Sequence, residues 1–231
     1  MLVEGKYCLS DLPRSFADSN GDGIGDLRIT QRLEYLSTLG VNLLWINPFY
    51  ASPNVDNGYD VSDYEDIHPD FGNMADVEEL IAQAHARNMR IMLDVVINHT
   101  SDQHAWVVES RKSRDNPYRD FYIWRDGKDG REPNTGWLTS AVSVDLRRPD
   151  RPILPAHLLS TTARSQLAEP TNPRCALQDD RMVAGQGHDG LRLDAISFIA
   201  KALASSTTTA HSPTSSNAGM MHGPEYHAYL Q

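Results

Sequence analysis

The chain has 231 residues, 40% of them hydrophobic, enough to bury the core of one large or two small domains. A formal net charge of −10 argues against nucleic acid and against an anionic membrane surface, both of which attract basic patches, and suits a soluble protein acting on neutral molecules. Cys8 and Cys175 form neither a disulfide framework nor a metal signature, MLVEGKYCLS lacks the basic start and apolar core of a signal peptide, and no apolar run could span a bilayer, so a reducing cytoplasm is the expected setting.

From about residue 28 to 100 helical and strand signals alternate. Leu33, Leu36 and Leu39 recur at helical spacing, and Gly40 follows where a helix commonly stops. VNLLWINP is a continuous apolar run, as expected of a strand buried on both faces. In ADVEELIAQAHARN, Val77, Leu80, Ile81 and Ala84 fall at i, i+3, i+4 and i+7, one stripe of an amphipathic helix. RIMLDVVIN is a second buried strand. Helix, strand, helix, strand with short connections predicts parallel βα units and an α/β fold. After Asn98 the chain turns polar, aromatic and rich in turn residues, the mark of an inserted irregular lobe. Residues 138–188 follow no period at all; VDLRRPDRPILPAHLL (144–159) has three prolines and five charges among scattered leucines. DGLRLDAISFIAKAL then restores a strand leading into a helix, and ASSTTTAHSPTSSNAG is a Ser/Thr-rich loop that cannot bury a core.

Several stretches carry chemistry. DSNGDGIGD sets Asp18, Asn20, Asp22 and Asp26 around glycines, an all-oxygen set suited to a hard cation such as Ca²⁺ or Mg²⁺; the competing reading is a pair of Asx-type turns with solvated carboxylates. An EF-hand is excluded, because the twelfth position is Ile29 instead of Glu. VDNGYD follows a predicted strand and combines carboxylates with an aromatic ring, which suits sugar binding, although such a stretch taken alone is more often an ordinary turn. In DVVINHT, Asp94 lies inside a strand and must be paired there, which marks it as a structural hydrogen-bonding group. In GLRLDA, Arg192 and Asp194 stand two apart and so share a strand face; the guanidinium favours an ionised nucleophile, or the two form a structural ion pair. All of these fall at the carboxyl ends of successive parallel strands, where barrel enzymes build their active sites.

PRSFADSNGDGIGDL, NPFYASPNVDNGYDVSDY, DVVINHTSDQHAW and DGLRLDAISFIAK together resemble glycoside hydrolase family 13, the α-amylase family, and within it the oligo-1,6-glucosidase and α-glucosidase branch. The resemblance implies a (β/α)8 TIM barrel with a lobe inserted after the third strand, of which this chain holds the N-terminal half. On that basis residues 1–99 are the first half of the barrel, 100–174 the inserted lobe and 175–231 the barrel's continuation through a fourth strand. It further implies that Asp194 is the nucleophile of a retaining α-glucoside hydrolase and Arg192 its partner. His99 and Asp56 would bind glucose hydroxyls, Tyr59 would stack on that sugar, and Asp18, Asn20, Asp22, the Ile24 carbonyl and Asp26 would hold the ion. The implied partner is a small isomalto- or malto-oligosaccharide, bound by a monomer without nucleic acid, membrane or organic cofactor.

The departures are equally specific. The family places a general-acid Glu after the fifth strand and a His-Asp pair after the seventh, and the chain stops before either. Read one base out of frame with permitted codons, 144–170 spells WTYDARTGQYYL and then can yield QPDLN, both family patterns. YCLSDLPRS can likewise be shifted into the family's first strand. The expectation is therefore an incomplete, frame-shifted copy with a scrambled first strand and no measurable hydrolysis as written. A non-catalytic sugar-binding or regulatory relative is the alternative. The linkage stays open: QPDLN resembles oligo-1,6-glucosidases, whereas Ala195 leans towards α-1,4 bonds.

Overall fold

The computed structural model describes residues 7–11, 13–122, 162–164 and 187–195. In chain order the elements are β1 (Tyr7–Asp11), α1 (Pro13–Phe16), α2 (Leu33–Thr38), β2 (Val41–Ile46), β3 (Tyr50–Ala51), β4 (Asp63–Ile67), α3 (Met74–His85), β5 (Arg90–Val96), β6 (His99–Ser101), α4 (Ala105–Ser110), β7 (Thr162–Arg164) and β8 (Gly190–Asp194). They divide between two units, Met1–Val95 with Gln178–Leu193 and Val96–Leu177 with Asp194–Gln231.

The first unit is built on a sheet of order β1-β2-β5-β8. β1 and β2 are parallel, with Leu9 opposite Leu44, and so are β2 and β5, with Leu44 opposite Ile91 and Ile46 opposite Leu93. β8 lies beside β5: the Asp189 N–H donates to Ile91 O at 2.8 Å, the Ile91 N–H donates to Asp189 Oδ2, and Arg192 reaches Asp94. One sheet face carries Leu44, Ile46, Ile91, Leu93 and Val95, all buried, together with the helical residues Leu33, Leu36, Val77, Leu80, Ile81 and Ala84. Parallel strands joined through helices are the α/β arrangement the sequence predicts.

Local sequence explains why these helices begin and end where they do. The Asn73 side chain accepts from the Ala75 N–H at 2.9 Å while Asp76 Oδ2 accepts from the Asn73 N–H at 2.9 Å, a reciprocal capping box at the start of α3. At its other end Asn88 takes the left-handed conformation (φ 57), with bonds from its N–H to His85 O and from the Met89 N–H to Ala84 O. α2 is shorter than its leucine spacing suggests: Leu33 and Leu36 are buried, but Leu39 lies beyond the last turn and is 60% exposed. A second difference is β1. YCLSD forms a strand although a scrambled first strand is expected, because a parallel ladder is made of backbone bonds that any side chains tolerate. Its side chains show the mismatch: Tyr7 is 70% exposed and Cys8 and Ser10 lie at the surface.

β3 and β4, which periodicity does not reveal, pair antiparallel, Tyr50 with Ile67 and Ala51 with Asp63, and so close the base of the loop carrying VDNGYD. In the second unit β6 pairs antiparallel with β7, and Val107 and Tyr122 form a small core with Trp106 and Phe121. The Tyr122 hydroxyl lies 3.0 Å from Thr100 Oγ1, and burial pushes its pKa up. Among the described residues no helix is long and apolar enough to cross a membrane. Apart from β7 and the two residues before Asp189, the segment 138–188 lies outside the described residues, as do the helix expected after Asp194 and the Ser/Thr-rich loop.

Asp189 ties the end of α3 to the sheet: its Oδ2 lies 2.8 Å from both His85 Nε2 and the Ile91 nitrogen. Desolvation pushes the Asp189 carboxyl up, but the Ile91 N–H and His85 outweigh it and hold the pKa below the ordinary value. A depressed folded pKa stabilises the fold above the unfolded carboxylate value of about 3.9 and loses that contribution as pH falls through the folded value. Asp189→Asn should therefore destabilise by about 0.5–1 kcal/mol at neutral pH, a difference that vanishes in acid. Urea melts of both proteins at neutral and strongly acidic pH check this.

Candidate active site

The centre of the first unit's polar face is one buried carboxylate. Asp94 lies inside β5 with its side chain fully enclosed. Its Oδ2 accepts from Trp45 Nε1, from the Tyr59 hydroxyl and from Arg192 Nη1, each at 3.0 Å, and its Oδ1 accepts from Arg192 Nη1 at 2.9 Å. A buried carboxylate is tolerable when cationic and neutral donors replace its water, and here they come from β2, a loop and β8. The Arg192 guanidinium also stands over two rings, 5.0 Å from the centre of Trp45 and 5.9 Å from that of Tyr59. The Tyr59 hydroxyl donates to Asp94 and accepts from Asn47 Nδ2 at 3.2 Å, and Asn47 Oδ1 accepts from Ser10 Oγ at 3.2 Å. A polar chain thus runs from β1 to β8.

The loop presenting Tyr59 has its own anchor. Asp60, fully buried, accepts from Ser52 Oγ at 2.8 Å, the Val55 N–H at 2.9 Å and the Asp56 N–H at 3.1 Å. The turn closes with a 3.0 Å bond from the Tyr59 N–H to Asp56 O across Asn57 (φ 52) and Gly58 (φ 91), consecutive left-handed residues that favour Asn-Gly. Gly58 is obligatory, since a Cβ there would lie 2.6 Å from Pro48 O.

Of the residues singled out from sequence, Tyr59 and Arg192 are brought together, around Asp94, and Asp56 shares the turn with Tyr59. His99 and Asp194 belong to the second unit. His99 opens β6, 1% exposed, with Nδ1 3.2 Å from Asn98 Nδ2; Asp194, half-buried, ends β8, and Ala195 after it has φ 50. Left-handed backbone at a non-glycine residue concentrates at functional sites. Sequence reading missed Trp45, Asn47 and Asp60. Trp45 and Asn47 stand two apart at the end of an apolar strand, and that alternation of a ring and an amide was the available signal.

In the loop 18–26, Asp18 is the local hub. It accepts the Gly23 N–H on Oδ2 at 2.8 Å and the Gly21 and Asn20 N–H groups on Oδ1 at 2.6 and 3.1 Å, and these backbone bonds, Gly23's foremost, hold its carboxyl below the usual carboxylate range. Asn20 Oδ1 accepts from the Asp22 N–H, Asn20 Nδ2 donates to Asp22 Oδ2, and Asp22 Oδ1 accepts from the Ile24 N–H. Asp26, fully buried, instead accepts from Ser19 Oγ at 2.6 Å and from the Arg28 N–H at 2.8 Å. The all-oxygen donor chemistry fits a hard cation. Among the described residues, however, no three His, Cys, Asp or Glu side chains are grouped to hold one.

Parallel βα units with an Arg–Asp pair at one strand end and a ring-and-carboxylate loop at another agree with what similarity to known proteins establishes. A model of the alpha amylase catalytic domain matches residues 12–146, more than half of the chain, and the chain belongs to that family, glycoside hydrolase family 13. The oligo-1,6-glucosidase of Halalkalibacterium halodurans is 47% identical over 230 residues, 95% of this chain and 40% of its own length. The alpha-glucosidase of Pediococcus pentosaceus is 41% identical, with the same two coverages. Among solved structures, the trehalulose synthase MutB of Pseudomonas mesoacidophila superimposes with a TM-score of 0.90 at 40% identity, covering 98% of this chain and 41% of its own. The chain thus spans about 40% of the length of these relatives, and its fold is that of the N-terminal half of an α/β barrel.

Asp94→Asn should destabilise by about 2–4 kcal/mol, because Arg192 loses its counter-charge and one oxygen becomes a donor facing other donors. Trp45→Phe keeps the ring and loses one hydrogen bond, about 1 kcal/mol. Equal losses in denaturant titrations would contradict the placement of Asp94 at the centre.

Proposed function

We propose that this chain carries the nucleophile-bearing part of a retaining α-glucoside hydrolase acting on α-linked gluco-oligosaccharides, isomalto- and malto-oligosaccharides among them. The observation that carries the reading is the Arg192 guanidinium, fixed by Asp94 and flanked by the rings of Trp45 and Tyr59, two residues before Asp194 on the same strand. Asp194 attacks the anomeric carbon, and the glycosyl–enzyme ester so formed is later hydrolysed by water. Arg192 orients that carboxylate and supports its charge. Tyr59 offers its ring to the sugar face, and Asp56 and His99 bind hydroxyls. The departing oxygen needs a proton from a second carboxyl group, spaced about 5–5.5 Å from the nucleophile in retaining enzymes. That acid is assigned to the part of the relatives' length that this chain does not span. A net charge of −10 supports a neutral sugar ligand in place of a nucleic-acid or anionic-membrane partner.

The same reading gives the loop 18–26 a structural Ca²⁺ or Mg²⁺, held by Asp18, Asn20, Asp22, the Ile24 carbonyl and Asp26. Its all-oxygen donors and the ionised Asp18 support this. Such an ion would stiffen the loop and take no part in bond cleavage. Added Ca²⁺ should raise the melting temperature, and Asp22→Ala should abolish the rise while leaving the ion-free melting temperature within a few degrees. No rise at millimolar Ca²⁺ would remove the ion from the reading.

Catalysis is tested by assaying p-nitrophenyl α-glucoside and isomaltose with residues 1–231 and with a version extended to the relatives' length. The extended protein should turn over, its Asp194→Asn variant should not, and the shorter chain should lack the roughly 10²–10⁴-fold assistance a general acid provides. Comparable turnover by both lengths would refute the missing-acid argument, and inactivity of both would refute the glycosidase assignment.

A further inference from the structure

Asparagine followed by glycine is the pair most open to intramolecular imide formation, because glycine places no side chain beside its own nitrogen. The sequence holds two such pairs, Asn20–Gly21 and Asn57–Gly58, and the structure holds them differently. Both ends of the Asn20 amide are bonded: Oδ1 accepts from the Asp22 N–H at 2.9 Å, and Nδ2 donates to Asp22 Oδ2 at 2.9 Å. The attacking atom is occupied as well, since the Gly21 N–H donates to Asp18 Oδ1 at 2.6 Å. Asn57 is exposed, and among the described residues no hydrogen bond reaches its side-chain amide or the Gly58 N–H. Its φ of 52 is a left-handed value, and a 3.0 Å backbone bond between Asp56 and Tyr59 closes that turn. Asn54, at φ 58, is a useful contrast: its neighbour is the branched Val55, whose N–H is committed to Asp60 at 2.9 Å.

We propose that Asn57 is a site of spontaneous deamidation in the folded protein. Hydroxide takes the Gly58 N–H proton, and the nitrogen attacks Asn57 Cγ to form a five-membered imide. The Cγ–Nδ2 bond breaks, and Nδ2 leaves as ammonia with a proton from water. A second water then opens the imide at either carbonyl, giving aspartate or isoaspartate, and no electrons are gained or lost. Either product puts a new negative charge between Asp56 and the buried Asp60. Isoaspartate also lengthens the backbone by one carbon immediately before Gly58, which is pinned under Pro48 O, so the strain falls on Tyr59 and its 3.0 Å bond to Asp94. This step is independent of the glycosidase reading, since it needs only water and the turn.

The test is to age the purified chain in mildly alkaline buffer at physiological temperature and follow both peptides by mass spectrometry with an isoaspartate-selective digest. Folded, Asn57 should convert at least about tenfold faster than Asn20, because the two differ in the local opening required. In denaturant the two sites should converge, which shows that the difference belongs to the fold. Asn57→Gln, whose imide ring would be larger, should remove the fast phase from that peptide while the circular dichroism of the protein is unchanged. Conversion of Asn57 no faster than that of Asn20 in the folded chain overturns the proposal, whether both sites are protected or both react.

Discussion

Much of the first unit can be derived from the cost of burying one ion. A carboxylate sealed inside a strand loses its hydration, and without replacement donors that costs several kcal/mol. Asp94 recovers the loss from three separate elements: an indole N–H, a phenol and a guanidinium. Each donor is thereby fixed in place. The guanidinium cannot turn without leaving the carboxylate and the two rings beneath it, and the phenol cannot turn without also leaving Asn47. Rigidity at Arg192 and Tyr59 therefore follows from solvation at a residue that need touch no substrate.

Three aspartates in this unit are fully buried, and each is solvated differently. Asp94 has a cation. Asp60 has only its own loop, two backbone N–H groups and a serine hydroxyl, so its negative charge is spread over dipoles and folds the 52–60 segment around itself. Asp26 lies between these cases, with Ser19, a backbone N–H and the distant Arg28 side chain at 3.9 Å. Asp18 is different again: it is exposed, and backbone N–H groups keep it ionised. The net charge of −10 distinguishes none of these roles; they follow from which donors each fold position supplies.

What the sequence made legible is what local periodicity and known motifs encode. The stripe of Val77, Leu80, Ile81 and Ala84 predicts α3 and its buried face, and the need to pair a strand-buried Asp predicts the role of Asp94. The resemblance picks out Tyr59 and Arg192, which do meet. What stayed illegible depends on neighbours distant in sequence. Trp45 reads as one more apolar strand residue until Asp94, 49 positions later, needs its N–H. The two-residue β3 is too short to show a period, and Leu39 carries the helical spacing but falls past the end of α2. β1 shows the opposite limit: its ladder forms although its side chains give the sheet little to bury.

Strand register explains why the polar groups meet at all. Trp45 lies opposite Met92 in the β2–β5 ladder, and Asp94, two residues beyond Met92, points to the same face. Arg192, on the neighbouring β8, reaches Asp94 on that face. The intervening residues, Leu44 and Ile46, Ile91, Leu93 and Val95, form the buried apolar face. A slip of one residue in β5 would turn Asp94 into that apolar layer and bring Leu93 or Val95 under the guanidinium. The hydrophobic pattern that forces the register thus also delivers the carboxylate, the ring and the cation to one surface. The chemistry of the site is set by the packing of the residues between its members.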